Sequence, residues 1–184
     1  MERQPPSFRP EQSPESSPPN LLTLEAISQV ATENALKYDG HVPTLIVEGS
    51  QHAIILSLAE LADRFEGRAH QVFRSGLALA RSGKVGQLKQ VFFVSEGWMS
   101  RARGGARIDR PPSQDPNRIE VLTIANLDVI AQIARLAVFE MVRDTEERVT
   151  ELKRFHQDDQ VGQRVESPLL AAFVQGYDLG KGAY

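Results

Sequence analysis

No cysteine occurs among the 184 residues. Disulfides, thiolate zinc sites, iron–sulfur ligation and a cysteine nucleophile are thereby excluded. No run approaches the ~20 apolar residues that a membrane-spanning helix needs. Residues 1–20 lack the apolar segment of a secretory leader. The expectation is a cytoplasmic protein without membrane contact. Histidine is scarce as well: His41, His52, His70 and His156 form neither HxH nor HxxxH. "PSQDP" has a Ser-x-Asp, but without HxH the JAMM metalloprotease pattern is excluded. The phosphate loop GxxxxGK[ST] and the dinucleotide fingerprint GxGxxG are missing. No metal and no cofactor are expected. An excess of positive charge is missing too, since the net charge is -3 and the pI is about 5.8. Nucleic acid is therefore not the expected partner.

What is present is a core: 41% of the residues are hydrophobic. The length suits one domain with tails. Residues 1–20 hold six prolines and four serines, too little apolar surface to offset chain entropy. They read as a disordered tail before a single domain at 21–178, with a glycine-rich flexible tail at 179–184.

Periodicity sorts the domain into elements. Thr23 caps a helix that ends at Asp39-Gly40, with Gly40 expected in the left-handed C-cap. "HVPTLIVEG" and "SQHAIILSL" read as a hairpin, Pro43 marking an edge or a strand start. Ser57 to Glu60 has the form of a capping box. It predicts a long helix over 58–82, with Leu58, Leu61, Phe65, Val72 and Leu77 on one stripe. Leu88 to Ser95 is a nearly continuous apolar run, the pattern of a strand covered on both faces. Ile119 to Leu127 is a further strand. Val129 to Arg143 alternates and reads as a long strand, with a single helix over 127–155 as the competing reading. "RDTEER" makes a turn before "VTELKRF", and Ser167-Pro168 starts a short terminal helix. The fold class is α+β: a mostly antiparallel sheet of five to six strands, covered by one helical layer.

The stretch from Ser95 to Arg118, "SEGWMSRARGGARIDRPPSQDPNR", is the candidate site. It is far longer than a hairpin turn needs, and it holds the only tryptophan and five arginines. Rigid polar loops at a sheet end are where sites concentrate. Glu96 and Arg118 are expected to meet as a charge-assisted pair. Trp98 offers a flat stacking surface. Ser113 and Asp115 are suited to fixing a proline-rich turn. Ser95, Trp98, Arg110, Ser113, Asp115 and Arg118 are the expected ligand-binding residues, and Glu96 is the candidate acid or base. "RARGGAR" offers backbone amides and guanidinium groups to a phosphate and reads as a mobile basic lid. "VSEGW" is no GxSxG elbow, so Ser95 and Ser100 are poor nucleophiles. "HQDD" at 156–159 groups one imidazole with two carboxylates and reads as a solvated turn.

Five arginines stand against Asp109 and Asp115 between residues 101 and 118, so an anionic partner is favoured. The leading expectation is a binding or assembly protein that recognises an anionic small molecule or a partner surface, and a homodimer is a further expectation. The second is a small metal-independent enzyme on a phosphate-bearing substrate, and the third a weak nucleic-acid binder.

Overall fold

A computed structural model describes residues 22–100, 111–155 and 167–182. Its elements are helices α1 (Leu24–Tyr38), α2 (Phe65–Arg81) and α3 (Pro168–Gly182), and strands β1 (Thr44–Gly49), β2 (Ala53–Ser57), β3 (Leu88–Met99), β4 (Ile119–Asp128), β5 (Ile133–Arg143) and β6 (Val149–Arg154). The strands form one antiparallel sheet in the order β2-β1-β3-β4-β5-β6. The α+β class therefore holds, with six strands.

Both faces of the sheet are covered, not one. Successive side chains of a strand point to opposite faces. Val91 and Phe93 of β3 pack with Val72, Leu79, Phe173 and Tyr177 of α2 and α3. Phe92 and Val94 pack with Ile27, Ala31 and Ala35 of α1 on the other side. The apolar run of β3 is thus divided between two cores. The expectation of one helical layer gave α1 no face of its own, yet its short apolar stripe covers the β3–β6 part of the sheet.

Three helix expectations change at their ends. Thr23 Oγ1 does accept a hydrogen bond from the Ala26 amide, at 3.1 Å. At the other end Asp39, not Gly40, takes the left-handed conformation, with φ 59°. The helix expected over 58–82 begins only at Phe65. Ser57 is the last residue of β2, paired with Thr44, and the Leu58 amide extends that pairing by donating to the Pro43 carbonyl. The sheet thus claims the residues of the apparent capping box. The Gln71 side chain then satisfies the Ala62 amide and the Glu60 carbonyl, which holds 58–64 as a turn against α2. At the C-terminus, α3 is 15 residues long and runs to Gly182, so the glycines that suggested a tail lie inside a helix.

Two glycines before the expected tail, Gly176 of α3 and Gly76 of α2, have a packing reason. A Cβ on Gly176 would stand 2.1 Å from the Phe73 carbonyl oxygen, and one on Gly76 would stand 2.2 Å from that of Phe173. The backbones of α2 and α3 approach too closely for any larger residue. The Tyr177 hydroxyl, buried at the same crossing, donates to the Gly86 carbonyl at 2.8 Å and ties α3 to the segment before β3.

The strand reading of Val129 to Arg143 holds from Ile133 onward; residues 129–132 form the β4–β5 turn, with Gln132 at φ 57°. "RDTEER" is the β5–β6 turn, where the Asp144 carboxylate accepts from the Glu146 and Arg148 amides. The proline-rich tail, "RARGGAR" and "HQDD" lie outside the described residues.

Candidate functional site

The β3–β4 ladder continues through Met99 and Ile119, beyond the expected strand end at Ser95. This extension decides where the candidate residues stand. Glu96 lies opposite Leu122, and Trp98 lies opposite Glu120. Arg118 falls four positions beyond Leu122 toward the loop, about 13 Å along the strand at the usual rise per residue. The Glu96–Arg118 ion pair is consequently not among the contacts of the described residues. Arg118 is instead the diagonal neighbour of Trp98, and diagonal neighbours are within reach of long side chains. Its guanidinium carbon stands 4.4 Å from the centre of the Trp98 ring.

Glu96 finds a different partner. The chain leaves α1 through Asp39, and Gly40 passes so close to β3 that a Cβ there would stand 2.9 Å from Glu96 Oε1. The next amide, that of His41, donates to the same oxygen. Burial raises the Glu96 pKa above its ordinary 4.5, and the nearby Glu120 carboxylate adds to the rise; the His41 amide, Arg143 and the His41 ring oppose it. Glu120 is held differently. Arg143 of β5 grips it with two bonds, Nε to Oε2 at 2.6 Å and Nη2 to Oε1 at 2.8 Å. The Arg143 Nη1 also donates to the Glu147 and Asp39 carbonyls, at 2.7 and 3.3 Å. The Glu120 hydrogen bond raises the guanidinium pKa above its ordinary value.

The proline-rich return forms the opposite wall. Pro112–Gln114 is a single 3-10 turn. Asp115 Oδ1 accepts from the Asn117 amide at 2.8 Å, and Arg118 Nη1 donates to the Ser113 carbonyl. Asp115 thus fixes the turn, and Arg118 joins the turn to Trp98. Between these walls lies a cleft of about 790 Å³, lined by Glu96, Gly97, Trp98, Pro111 to Ser113 and Glu120, and by Asp63, Phe65 and Arg68 from the start of α2.

Of the expected residues, Glu96, Trp98 and Ser113 line the cleft, and Arg118 braces its Trp98 wall. Ser95 is bonded away from it, its hydroxyl 3.1 Å from that of Thr123. Asp115 acts within its turn. Arg110 lies outside the described residues. Sequence reasoning missed Arg143, whose role follows only from the β4–β5 register. It also missed Asp63 and Arg68, which the overlong helix placed on a solvated face, and Phe65, which it placed on the apolar stripe.

The described lining carries Asp63, Glu96 and Glu120 against Arg68. Its floor therefore suits hydrogen-bond donors, and the half-exposed Trp98 suits a flat group. Glu96 and Glu120 are in unlike environments, the first with its pKa raised by burial and the second gripped by arginine. Among the described residues no cluster of histidines and carboxylates is arranged to hold a metal ion, and no helix is long and apolar enough to cross a membrane. Comparison with protein families, curated proteins and solved structures found no match to this chain.

Proposed function

We propose that this chain is a binding or assembly protein that recognises an anionic, donor-bearing ligand or partner surface at the sheet-end cleft. The supporting observation is the meeting of Glu96, Trp98 and Ser113, from two separate segments, around one polar cleft. The carboxylates of the floor take hydrogen-bond donors. The anionic part falls to arginine: Arg68 in the wall, and Arg101, Arg103, Arg107 and Arg110 in the ten residues that join Ser100 to the cleft residue Pro111.

The test is a thermal-shift panel of inorganic phosphate, nucleotides, sugar phosphates, acidic peptides and short oligonucleotides, read together with Trp98 emission. A ligand at 100 times its Kd adds about 2.7 kcal/mol of stability by mass action. A true ligand raises the melting temperature and quenches or shifts Trp98, and Trp98→Phe with Arg68→Ala abolishes binding while the fold survives. A panel with no shift leaves recognition of a protein surface as the reading.

One observation favours an enzyme as the second reading. Glu96 is a half-buried carboxyl group with a raised pKa at the cleft, the property of a general acid or base. Its known oxygen contact is already taken by the His41 amide, which ranks this reading below binding.

A further inference from the structure

The two edges of the sheet are built differently. β6 carries Glu151, Lys153 and Arg154, and charge on an edge strand discourages pairing with another chain. β2 reads Ala-Ile-Ile-Leu-Ser. It has no charge, no proline and no bulge in its ladder, and β1 is its one ladder neighbour among the described residues. Its side chains are exposed or half-buried throughout, and Ile55 is 69% exposed.

The hydrogen-bond parity of β2 determines what the open edge offers. The Gly49 amide donates to the His52 carbonyl, and the Leu58 amide donates to Pro43. Bonded pairs alternate along an antiparallel ladder. With the observed register, His52, Ile54, Leu56 and Leu58 therefore turn their peptide groups toward β1. Ala53, Ile55 and Ser57 turn theirs outward. This set is symmetric about Ile55.

Apolar surface flanks the edge on both faces. On the α1 face a groove of about 340 Å³ is lined by Val30, Tyr38, Val42, Ile46 and Ile55. On the α2 face a groove of about 440 Å³ is lined by Ile54, Leu56, Leu58 and Leu79. An added strand must therefore be apolar on both sides, as β2 itself is.

We infer that β2 pairs antiparallel with β2 of a second copy of this chain, on a two-fold axis at Ile55. Ile55 then exchanges both backbone hydrogen bonds with its symmetry mate, and Ala53 does the same with Ser57 on each side. The charges near the edge agree with this register. Lys84 stands at the His52 end, where His52 Nδ1 lies 2.9 Å from its carbonyl oxygen, and Glu60 follows the Ser57 end. Antiparallel pairing brings Lys84 of each copy toward Glu60 of the other. A two-fold contact also closes completely. A foreign peptide on β2 would present a new open edge, whereas two copies of β2 cover each other and leave, among the described strands, the charged β6 edges outside.

Sedimentation equilibrium on the full chain tests this. The wild type sediments as a dimer. Ile55→Lys sets two like charges against each other at the axis and raises the dimer dissociation constant roughly 100-fold or more, with the circular dichroism spectrum unchanged. Because the chain has no cysteine, Ile55→Cys provides a second, independent readout: a short bismaleimide converts it to covalent dimer, while Thr150→Cys on β6 gains no covalent cross-link under the same reagent. A monomeric mass at every concentration up to about 1 mM overturns the pairing, 1 mM being an affinity of only ~4 kcal/mol. So does a dimer that keeps its dissociation constant in Ile55→Lys and leaves Ile55→Cys unlinked.

Discussion

Glu96 shows how a single side chain joins distant parts of the molecule. It sits on β3, accepts the His41 amide beyond α1, and shares its surroundings with Glu120 and Arg143. Its raised pKa has a definite sign in stability. A carboxyl group that binds its proton more tightly folded than unfolded costs nothing below its unfolded pKa. The cost appears as pH rises through the interval between the two values and is complete above the folded one. Glu96→Gln keeps an acceptor for the His41 amide and removes the buried charge. The variant should therefore equal or exceed the wild type in urea midpoint at pH 7. It should also lack the part of the wild type's decline that sets in above pH 4.5. Midpoints measured from pH 4 to pH 8 decide it; a variant less stable at pH 7 and unchanged in slope would contradict this account of Glu96. The same residue shows the limit of reading neighbours from a loop. Glu96 and Arg118 bracket the loop in sequence, yet the ladder between them separates the two by several strand positions.

At the scale of elements, the crossing of α2 and α3 reverses an ordinary rule. Alanine in place of glycine in a helix interior is normally favourable by ~1 kcal/mol. At Gly176 the new Cβ meets the Phe73 carbonyl, so Gly176→Ala should instead destabilise by about 1–3 kcal/mol, the cost of overpacking. Gly182 lies at the end of the same helix with nothing within 4 Å of a built Cβ. Gly182→Ala should be neutral or stabilising by up to ~0.5 kcal/mol. Urea titration of the pair separates close packing from helix propensity, because propensity alone would give both substitutions the same sign. Gly182 falls in the tail expected at 179–184 and Gly176 just before it, and the sequence does not tell their roles apart because glycine is permissive by itself. Only the presence of α2 makes its missing side chain a packing requirement.

At the scale of the whole molecule, one sheet separates two cores, and they should not behave as separate units. Leu170 lies in the core under α2 and α3, and Leu122 lies in the core under α1; both are fully buried. Each leucine-to-alanine change should cost about 2–5 kcal/mol. They stand on opposite faces and share no cluster, so the double variant should show the sum within ~0.5 kcal/mol. Circular dichroism and Trp98 fluorescence should report a single transition in all of these variants. Two transitions would mean that the faces unfold independently.

The sequence by itself determined most of the kinds of element and, having no cysteine, excluded thiol chemistry. Helix and strand periods are written in consecutive residues, which is why α1, β1, β2 and the alternation of β5 could be read directly. The capping-box pattern at Ser57 misled because a local signal competes with sheet pairing, and the pairing partner Thr44 is remote in the chain. Tertiary structure alone decided that α1 takes the face opposite α2 and α3, that Arg143 reaches Glu120, and that β2 ends the sheet among the described residues. Each of these depends on contacts between residues far apart in sequence, such as the 55 positions between His41 and Glu96 or the 91 between Gly86 and Tyr177. No local period encodes such distances; they follow from how the strands order themselves once both apolar faces are buried.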